Sequence, residues 1–420
     1  RGILYLSQRF INKENIEIHH TFRDIMDFNL SKVRLEVFMK SITFFMHNFY
    51  AMGGTVKSIS QIANVLAEKG HHVEIISVFK GDTSPYFDIN PSIKVKPLVN
   101  YQLHPFNFKD ILFNRITKWT SLSKPKYISQ HEPGLNQFSH YIEKKMIKAI
   151  KHVNTDVLIG TRASFNILIA QHAPMKCEKI GMEHMNFDAH PEAYQQEIIN
   201  AYKNLDKLTT LTETDKVKYQ DYIHIPTFVI PNIINETRLQ EQKVKNISAA
   251  GRLEYEKGFD LLIDSINLIQ ENMRQFGYQV HIYGDGKERN NLSKLIRKNN
   301  LEDIVFLQGA THQLNEKLAK SELTVIPSRN EGFGMVILEA MNQGSVVVSF
   351  DGNAGPESII QNNVNGYLIE HGNVDALANK LRRLINQEFK DQVIIENGYQ
   401  TVENYEPNAI YLSFRHMLDT

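Results

Sequence analysis

Residues 327–344, PSRNEGFGMVILEAMNQG, decide the fold of this chain. They follow a short apolar run at 323–326, which predicts a buried parallel strand, and they pass through two glycines into a helical pattern at 335–341. A strand, a glycine-containing turn and a helix N-terminus together form a site for an anion. The first helical turn has free N–H groups, and Gly332 and Gly334 let a phosphate approach the backbone closely.

Two carboxylates frame this turn, Glu331 in the loop before the helix and Glu339 inside the helix. In the simplest interpretation Glu331 favours the helix dipole and Glu339 is a solvated helix residue, because two glutamates at this spacing are common. In the second interpretation both glutamates contact a bound ligand. The surrounding sequence and the motifs upstream favour the second.

A second motif, GRLEYEKGFDLLIDS at residues 251–265, runs from the end of a predicted strand into a predicted helix. Arg252 and Lys257 lie five apart across the turn, so they can converge on one diphosphate from two sides. The arginine would act as a fork and the lysine as a point charge. The alternative is that both are ordinary solvated turn residues.

The first half alternates strands and helices from residue 42 onwards. A strand at 42–47 leads into a turn that contains Gly53 and Gly54, where a doubly wound sheet offers its backbone to a phosphate. His184 lies at the carboxyl end of another strand, the edge at which open α/β sheets bind ligands. The alternatives are a glycine pair that only serves the bend and a histidine with a structural hydrogen bond.

These motifs together resemble those of the retaining glycosyltransferases of family 4. The resemblance covers roughly residues 40–405 and is carried by EGFGMVILEAMNQGSVVVSF, GPESII, NGYLI, GRLEYEKG and GMEHMNF. It implies the GT-B fold, an α/β architecture in which two Rossmann-like domains face each other across a nucleotide-sugar cleft.

The resemblance also implies a role for each candidate residue. Glu331 would contact the donor sugar and Glu339 the ribose, while His184 would contact the sugar beside the reacting carbon. Gly53 and Gly54 would face the diphosphate and the acceptor. We therefore predict His184 and Glu331 as catalytic, and a nucleotide site formed by Gly53, Gly54, Arg252, Lys257, Gly332, Phe333, Gly334 and Glu339.

Length and composition limit the remaining classes. A chain of 420 residues exceeds what one core usually holds, and its 47 basic residues equal its 47 acidic ones, so nucleic acid is not favoured as a partner. Cys177 is the one cysteine, and the histidines show no metal-ligand spacing. No apolar run has the length of a membrane span and no signal peptide is visible, so we expect a cytoplasmic location, with the inner membrane face as a second one.

The chain divides into four predicted segments. Residues 1–38 form an extension without clean periodicity, and residues 39–235 form a Rossmann-like acceptor domain. Residues 236–405 form a Rossmann-like donor-nucleotide domain, and residues 406–420 form a helix that packs back on the first domain.

Residues 101–151 interrupt the alternation with nine Lys or Arg against three Asp or Glu, a net charge of +6, interleaved with aromatic residues. Such a mixture can lie on an anionic membrane surface as a peripheral contact, or bind a polyanionic acceptor. The alternative is a pair of ordinary helices with solvated lysines and an aromatic side that faces the core.

The predicted reaction moves a hexose or N-acetylhexosamine from a nucleotide-diphosphate sugar, with UDP favoured, to a hydroxyl. TLTETDKVKY and the PESII and NGYLI runs are similar to bacterial enzymes that decorate teichoic acids or build capsule, which makes an envelope glycopolymer or a lipid-linked molecule the expected acceptor. No Asp-x-Asp pair sits in a suitable loop, so we expect neither a metal nor another cofactor. Two alternatives are a non-catalytic GT-B partner or chaperone of another glycosyltransferase, and a protein glycosyltransferase.

Overall fold

The structure is a computed structural model that describes residues 39–81, 84–101, 124–386 and 392–420. Residues Ser41–Thr420 form one compact unit. The predicted extension at residues 1–38 lies outside the described residues.

A seven-stranded parallel sheet in the order β3-β2-β1-β4-β5-β6-β7 forms the first domain. Parallel neighbours need crossover connections, and helices supply most of them. Helices on both faces leave the central strands buried, which is why β1 reads as the apolar run SITFFM. The strands are β1 Ser41–Met46, β2 His72–Lys80, β3 Lys94–Asn100, β4 Val157–Gly160, β5 Glu178–Met182, β6 Lys207–Thr210 and β7 Thr227–Val229, and the helices are α1 Gly54–Glu68, α2 His140–Lys151, α3 Ala163–His172, α4 Glu192–Tyr202 and α5 Glu213–Gln220.

A six-stranded parallel sheet in the order β10-β9-β8-β11-β12-β13 forms the second domain. Its strands are β8 Val244–Ala250, β9 Gln279–Tyr283, β10 Val305–Gly309, β11 Ser321–Ile326, β12 Val346–Phe350 and β13 Tyr367–Ile369. Its helices are α6 Phe259–Asn267, α7 Gln270–Phe276, α8 Arg289–Lys298, α9 Leu314–Lys320, α10 Met335–Asn342, α11 Ala354–Ile359, α12 Val374–Asn386 and α13 Gln392–Glu403.

The end of the described chain differs from the sequence pattern. The sequence has a helical pattern over about 391–420, which includes the last helix predicted at 406–420, and the structure divides this stretch into two helices, α13 and α14 Pro407–Asp419. Proline has no N–H to donate and its ring blocks the preceding turn, so a helix can begin at Pro407 but cannot run through it. A second difference is at Ile269, which leaves the helical conformation between α6 and α7 and buries its side chain.

Helix α14 packs on the first domain although it follows the second domain in the chain. Its buried side chains join the cluster that β1 and α1 form around Ile42 and Ile59; they are Ile410, Tyr411, Phe414, Met417 and Leu418. The chain thus crosses between the domains twice, once before β8 and once before α14. Among the helices that the structure describes, none is both long enough and apolar enough to cross a lipid bilayer.

The loop after β8 lies directly against the loop after β11, and Gly258 is the point of closest approach. Gly258 has a φ of +63°, and a Cβ added there would lie 1.9 Å from the carbonyl oxygen of Pro327. The backbone N–H groups of Arg329 and Asn330 donate to the carbonyl of Glu256 at 2.8 and 3.2 Å. These contacts fix the GRLEYEKG turn beside the stretch that carries Glu331.

We expect Gly258→Ala to lower the free energy of unfolding by about 3 kcal/mol, because both the left-handed backbone and the clash with Pro327 oppose a Cβ. Gly277→Ala is the matched control, since Gly277 has a φ of +72° but nothing lies within 4 Å of its Cβ position. That control should lose only about 1 kcal/mol. Urea denaturation followed by circular dichroism measures both, and equal losses would contradict the role given to the close approach.

Candidate active site

Glu331 lies between β11 and α10 and is held by the loops around it. Lys257 Nζ donates to its Oε2 at 2.7 Å and Ser328 Oγ donates to the same oxygen at 3.1 Å. The Glu331 backbone N–H donates to Asn353 Oδ1 at 3.0 Å, and Asn353 Nδ2 donates to the Ser328 carbonyl at 3.3 Å. The carboxylate is therefore oriented and paired with a cation while it remains half-buried rather than enclosed.

Arg252 and Lys257 flank one turn, as the sequence motif predicts. The Lys257 side chain runs across Gly251, where a Cβ would lie 3.6 Å from Lys257 Cδ. Arg252 is exposed, and its side chain has no hydrogen bond or ion pair with any residue in the described part of the chain. One donor of Lys257 is thus paired with Glu331, whereas the whole Arg252 guanidinium can bind an incoming anion.

In the turn before α10, the backbone conformation itself requires glycine at one position. Gly334 is the N-cap of α10 and has a φ of +86°, a left-handed conformation that favours glycine. Gly332 has no such requirement, and a Cβ there would make only an ordinary contact, 3.6 Å from the carbonyl oxygen of His184. The Phe333 ring is buried against Tyr405, 5.9 Å between centroids, which leaves only its backbone for a ligand.

Gly53 and Gly54 lie at the N-terminus of α1, after β1. Gly53 is the N-cap with an extended backbone, and Gly54 is the first residue of the helix. A Cβ at Gly53 would meet only Val56, at 4.0 Å, and a Cβ at Gly54 would meet nothing within 4 Å. The packing of the described chain does not demand glycine at either position, so close approach of a ligand remains the predicted reason for both.

His184 follows β5 by two residues, and its carbonyl faces Gly332 of the second domain. Burial lowers the pKa of His184 to about 4, so the imidazole is neutral at pH 7. Its Nε2 atom is buried and has no hydrogen-bond partner among the residues that the structure describes. A structural hydrogen bond from this nitrogen, the alternative interpretation, is therefore not found in that part of the chain.

Glu339 is buried on α10 and is not the solvated helix residue of the simplest interpretation. Its Oε1 lies 2.5 Å from Lys57 Nζ, and the same ammonium lies 2.6 Å from Glu236 Oε1. Lys57 belongs to α1 in the first domain, so this contact crosses between the domains. Burial alone would lower the pKa of Lys57, but the carboxylates of Glu339 and Glu236 raise it above its ordinary value.

A cavity of about 500 Å³ opens in the first domain beyond β1, β4 and β5, and His184 lies in its wall. Met52 and Thr55, which flank the glycine pair, line it too. Two buried acids lie deeper, Glu132 and Glu183. The cavity therefore connects the predicted sugar contact to a polar interior.

Each buried acid of this cavity has partners within the first domain. Glu132 accepts a short hydrogen bond from the Tyr194 hydroxyl and pairs with Arg162. Glu183 accepts a short hydrogen bond from the Tyr202 hydroxyl, and Asn166 Nδ2 donates to it at 2.8 Å. Burial raises the pKa of Glu183 to about 7.

Several of these residues escaped the sequence analysis. Lys57 stands three positions after Gly54 and could have been found from the sequence. It is the only charged residue in the first turns of a helix whose other residues there are apolar or small. Glu183 precedes His184 in the GMEHMNF run, but nothing in the sequence indicates that it is buried. Glu132 meets Arg162, and Asn353 meets Glu331, only through the fold.

The basic segment is described in part. Residues 102–123 lie outside the described residues, so membrane contact there stays a prediction. In α2, Ile142, Met146 and Ile150 are buried. Lys144 and Lys148 are exposed, which over residues 140–151 is the pattern of an ordinary solvated helix.

Metal binding would need several His, Cys, Asp or Glu side chains to meet within residues 39–81, 84–101, 124–386 and 392–420, which the structure describes. In those residues no group of three or more His, Cys, Asp or Glu side chains is arranged to hold a metal ion. Cys177 is buried, and burial raises the pKa of its thiol to about 11.

Residues 231–401 match the family model described as Glycosyl transferases group 1. An uncharacterised glycosyltransferase of Haemophilus influenzae is 26% identical over 357 residues, which cover 83% of this chain and 91% of that protein. The poly(ribitol-phosphate) α-N-acetylglucosaminyltransferase of Staphylococcus aureus is 33% identical over 229 residues, which cover 53% of this chain but only 45% of that enzyme. Residues 231–401 are thus similar to the glycosyltransferases of group 1.

A solved structure of a S. aureus TarM variant with fondaparinux, α-GlcNAc-glycerol and UDP is similar in fold, with a TM-score of 0.70 and 18% identity. The match covers 91% of this chain and 100% of that one. Together with the two parallel sheets, this likeness establishes the GT-B fold that the sequence motifs imply.

The raised pKa of Glu183 predicts how the stability of the protein depends on pH. Its pKa of about 7 lies above the ordinary 4.5, so the folded protein binds this proton more tightly than the unfolded chain does. The stabilising contribution is complete below about pH 4.5 and is lost as the pH rises through about 7. We expect Glu183→Gln, which keeps an oxygen acceptor for Tyr202 but does not titrate, to lose less stability than the parent between about pH 5 and pH 8.

Urea midpoints measured across that range test the prediction. The difference between variant and parent isolates the contribution of Glu183 from those of the other titrating groups. Parallel pH profiles for the two proteins would contradict a raised pKa at this carboxyl.

Proposed function

We propose that this protein is a retaining glycosyltransferase that moves a hexose or N-acetylhexosamine from a nucleoside-diphosphate sugar to a hydroxyl of a bacterial cell-envelope glycopolymer. The observation that carries the proposal is the Lys257–Glu331 pair, which lies in the region similar to group 1 glycosyltransferases, beside the turn that meets the His184 carbonyl. A UDP-linked donor is supported by the UDP in the similar solved structure, and a poly(ribitol-phosphate) acceptor such as teichoic acid by the S. aureus relative. A capsule acceptor is supported by the sequence motifs alone.

The donor would lie between the two loops of the second domain and the first turn of α1. Glu331 accepts hydrogen bonds from the sugar hydroxyls, while Glu339 Oε2, which Lys57 does not engage, accepts from the ribose. Arg252 binds the diphosphate, and Lys257 adds to it, because an ammonium carries three N–H donors and Glu331 uses one. A non-catalytic partner protein would have no use for this set of oriented charges.

The transfer step breaks the bond between the anomeric carbon and the diphosphate oxygen, and a bond forms from the acceptor oxygen to the same carbon on the same face. The proton of the acceptor hydroxyl passes to the leaving diphosphate, so a glycoside and a nucleoside diphosphate are the products. His184, neutral at pH 7, contacts the sugar beside the reacting carbon without adding a positive charge there.

Charge that grows on the leaving group needs a counter-charge in the transition state. In this proposal Arg252, Lys257 and the N-terminus of α10 supply it, so that catalysis does not depend on a metal ion. The cavity beside His184 would receive the acceptor hydroxyl, since it opens next to the predicted sugar contact.

Glu331→Gln and Glu339→Gln separate the two carboxylate roles. We expect Glu331→Gln to reduce kcat by about 100-fold or more with little change in nucleotide affinity, because the lost contact is to the sugar. Glu339→Gln should instead weaken binding of free nucleotide by about 10-fold to 100-fold, for one charge-assisted hydrogen bond. Calorimetry with UDP, GDP and ADP, combined with turnover of the matching sugar donors, measures both, and parent-like turnover of Glu331→Gln would overturn its assignment.

Metal independence has its own test. We expect turnover to be unchanged by a chelator in excess, and Arg252→Ala to lower kcat by about 10-fold to 100-fold in a way that added Mg²⁺ does not restore. Arg297→Ala, which removes a helix-end arginine from the same domain, is the control and should behave like the parent. Loss of activity in chelator that a divalent cation restores would contradict the role given to these side chains.

A further inference from the structure

We infer that Lys57 is a donor-positioning residue supplied by the opposite domain, which orients Glu339 for the nucleotide and makes nucleotide binding depend on closure of the two domains. The inference rests on the proposed function, because it takes Glu339 as the residue that binds the ribose. It adds a residue of the first domain to a nucleotide site that otherwise belongs to the second.

The geometry around Lys57 is that of one cation shared by two acids. Its side chain is 25% exposed, against 8% for Glu339 and 15% for Glu236. Because both oxygens lie within 2.6 Å of one nitrogen, they are no more than about 5 Å apart. Two carboxylates this close in a largely buried place repel each other strongly unless a cation lies between them.

The donor domain holds this acid pair in place without help from Lys57. Asn342 Nδ2, on the same helix as Glu339, donates to the Glu236 carbonyl at 2.7 Å, and the Glu236 segment is therefore tied to α10. Removing Lys57 would leave both acids where they are and uncompensated. Their mutual repulsion would then turn one side chain away, and Glu339 would no longer present a fixed acceptor.

Lys57 orients Glu339 and leaves acceptor sites on its carboxylate available. A carboxylate has two oxygens and about four acceptor sites, and Lys57 engages only Oε1. Oε2 can still accept from the hydroxyls of a ribose. Lys57 therefore acts as a support for the nucleotide contact rather than as a competitor of the nucleotide.

The bridge exists only while the domains are closed. Helix α1 is fixed in the first core through Ile59 and Ile62, and α10 in the second domain through Ile337 and Leu338. Opening the cleft would separate Lys57 from both acids. Linkage is reciprocal, so a nucleotide that needs the oriented Glu339 must favour the closed arrangement to the same degree.

Calorimetry on the full chain tests the inference with the nucleotide, among UDP, GDP and ADP, that binds the parent most tightly. We expect Lys57→Met to weaken binding by about 10-fold to 100-fold, and Lys57→Arg to stay within a few-fold of the parent. Adding Glu236→Gln to Lys57→Met should recover about tenfold, because it removes the repulsion. Lys216→Met is the matched control, since Lys216 is 26% exposed and forms a 2.7 Å ion pair with Glu213 within its own helix.

Each other outcome overturns the inference. Parent-like or tighter binding by Lys57→Met would show that Lys57 does not support the nucleotide contact. A loss that the Glu236→Gln change does not recover would be a structural effect, which thermal unfolding of the single variant would confirm. If Glu339→Gln binds the nucleotide weakly while Lys57→Met binds it normally, the inference fails and the proposed function stands. If Glu339→Gln binds the nucleotide normally, the ribose role of Glu339 fails, and the inference fails with it.

Discussion

Each of the charged or polar groups brought together at the candidate site follows a parallel strand. Lys57 comes after β1, His184 after β5, Lys257 after β8 and Glu331 after β11. A parallel sheet has one edge at which all its strands end, so residues far apart in sequence meet there without any special sequence between them. Because the two sheets turn these edges towards each other, loops such as those of His184 and Gly332 come into contact, and the site contains groups from both domains.

Charges inside this edge are paired with one another rather than with solvent alone. Lys57 lies between Glu339 and Glu236 and offsets one of their two negative charges, and Lys257 pairs with Glu331. Removal of a charge from water is costly unless a partner compensates it, so the position of each acid is tied to the position of its cation. The cation that pairs with Glu339 comes from the other domain. The charge pairing at this acid therefore exists only when the two domains are in contact.

The sequence predicts most of the fold, because apolar runs and glycine turns are local signals. Both parallel sheets and the turns that carry Glu331 and Arg252 follow from such patterns. The break before Pro407 shows that one continuous helical pattern in the sequence can correspond to two helices in the structure. The partners of the site residues could not be predicted in the same way. Nothing near Glu339 in sequence indicates that it is buried against Lys57, because that contact spans 282 positions and depends on how the domains meet.

The position of α14 has a consequence for the order of folding. During synthesis the strands of the first domain are complete long before residues 407–419 exist, yet the core around Ile42 and Ile59 includes five side chains of that helix. A domain that emerges early usually folds early, but here its core stays open until the second domain has also been made. The nascent first domain therefore exposes apolar surface over most of its synthesis, and the two domains reach their final stability together.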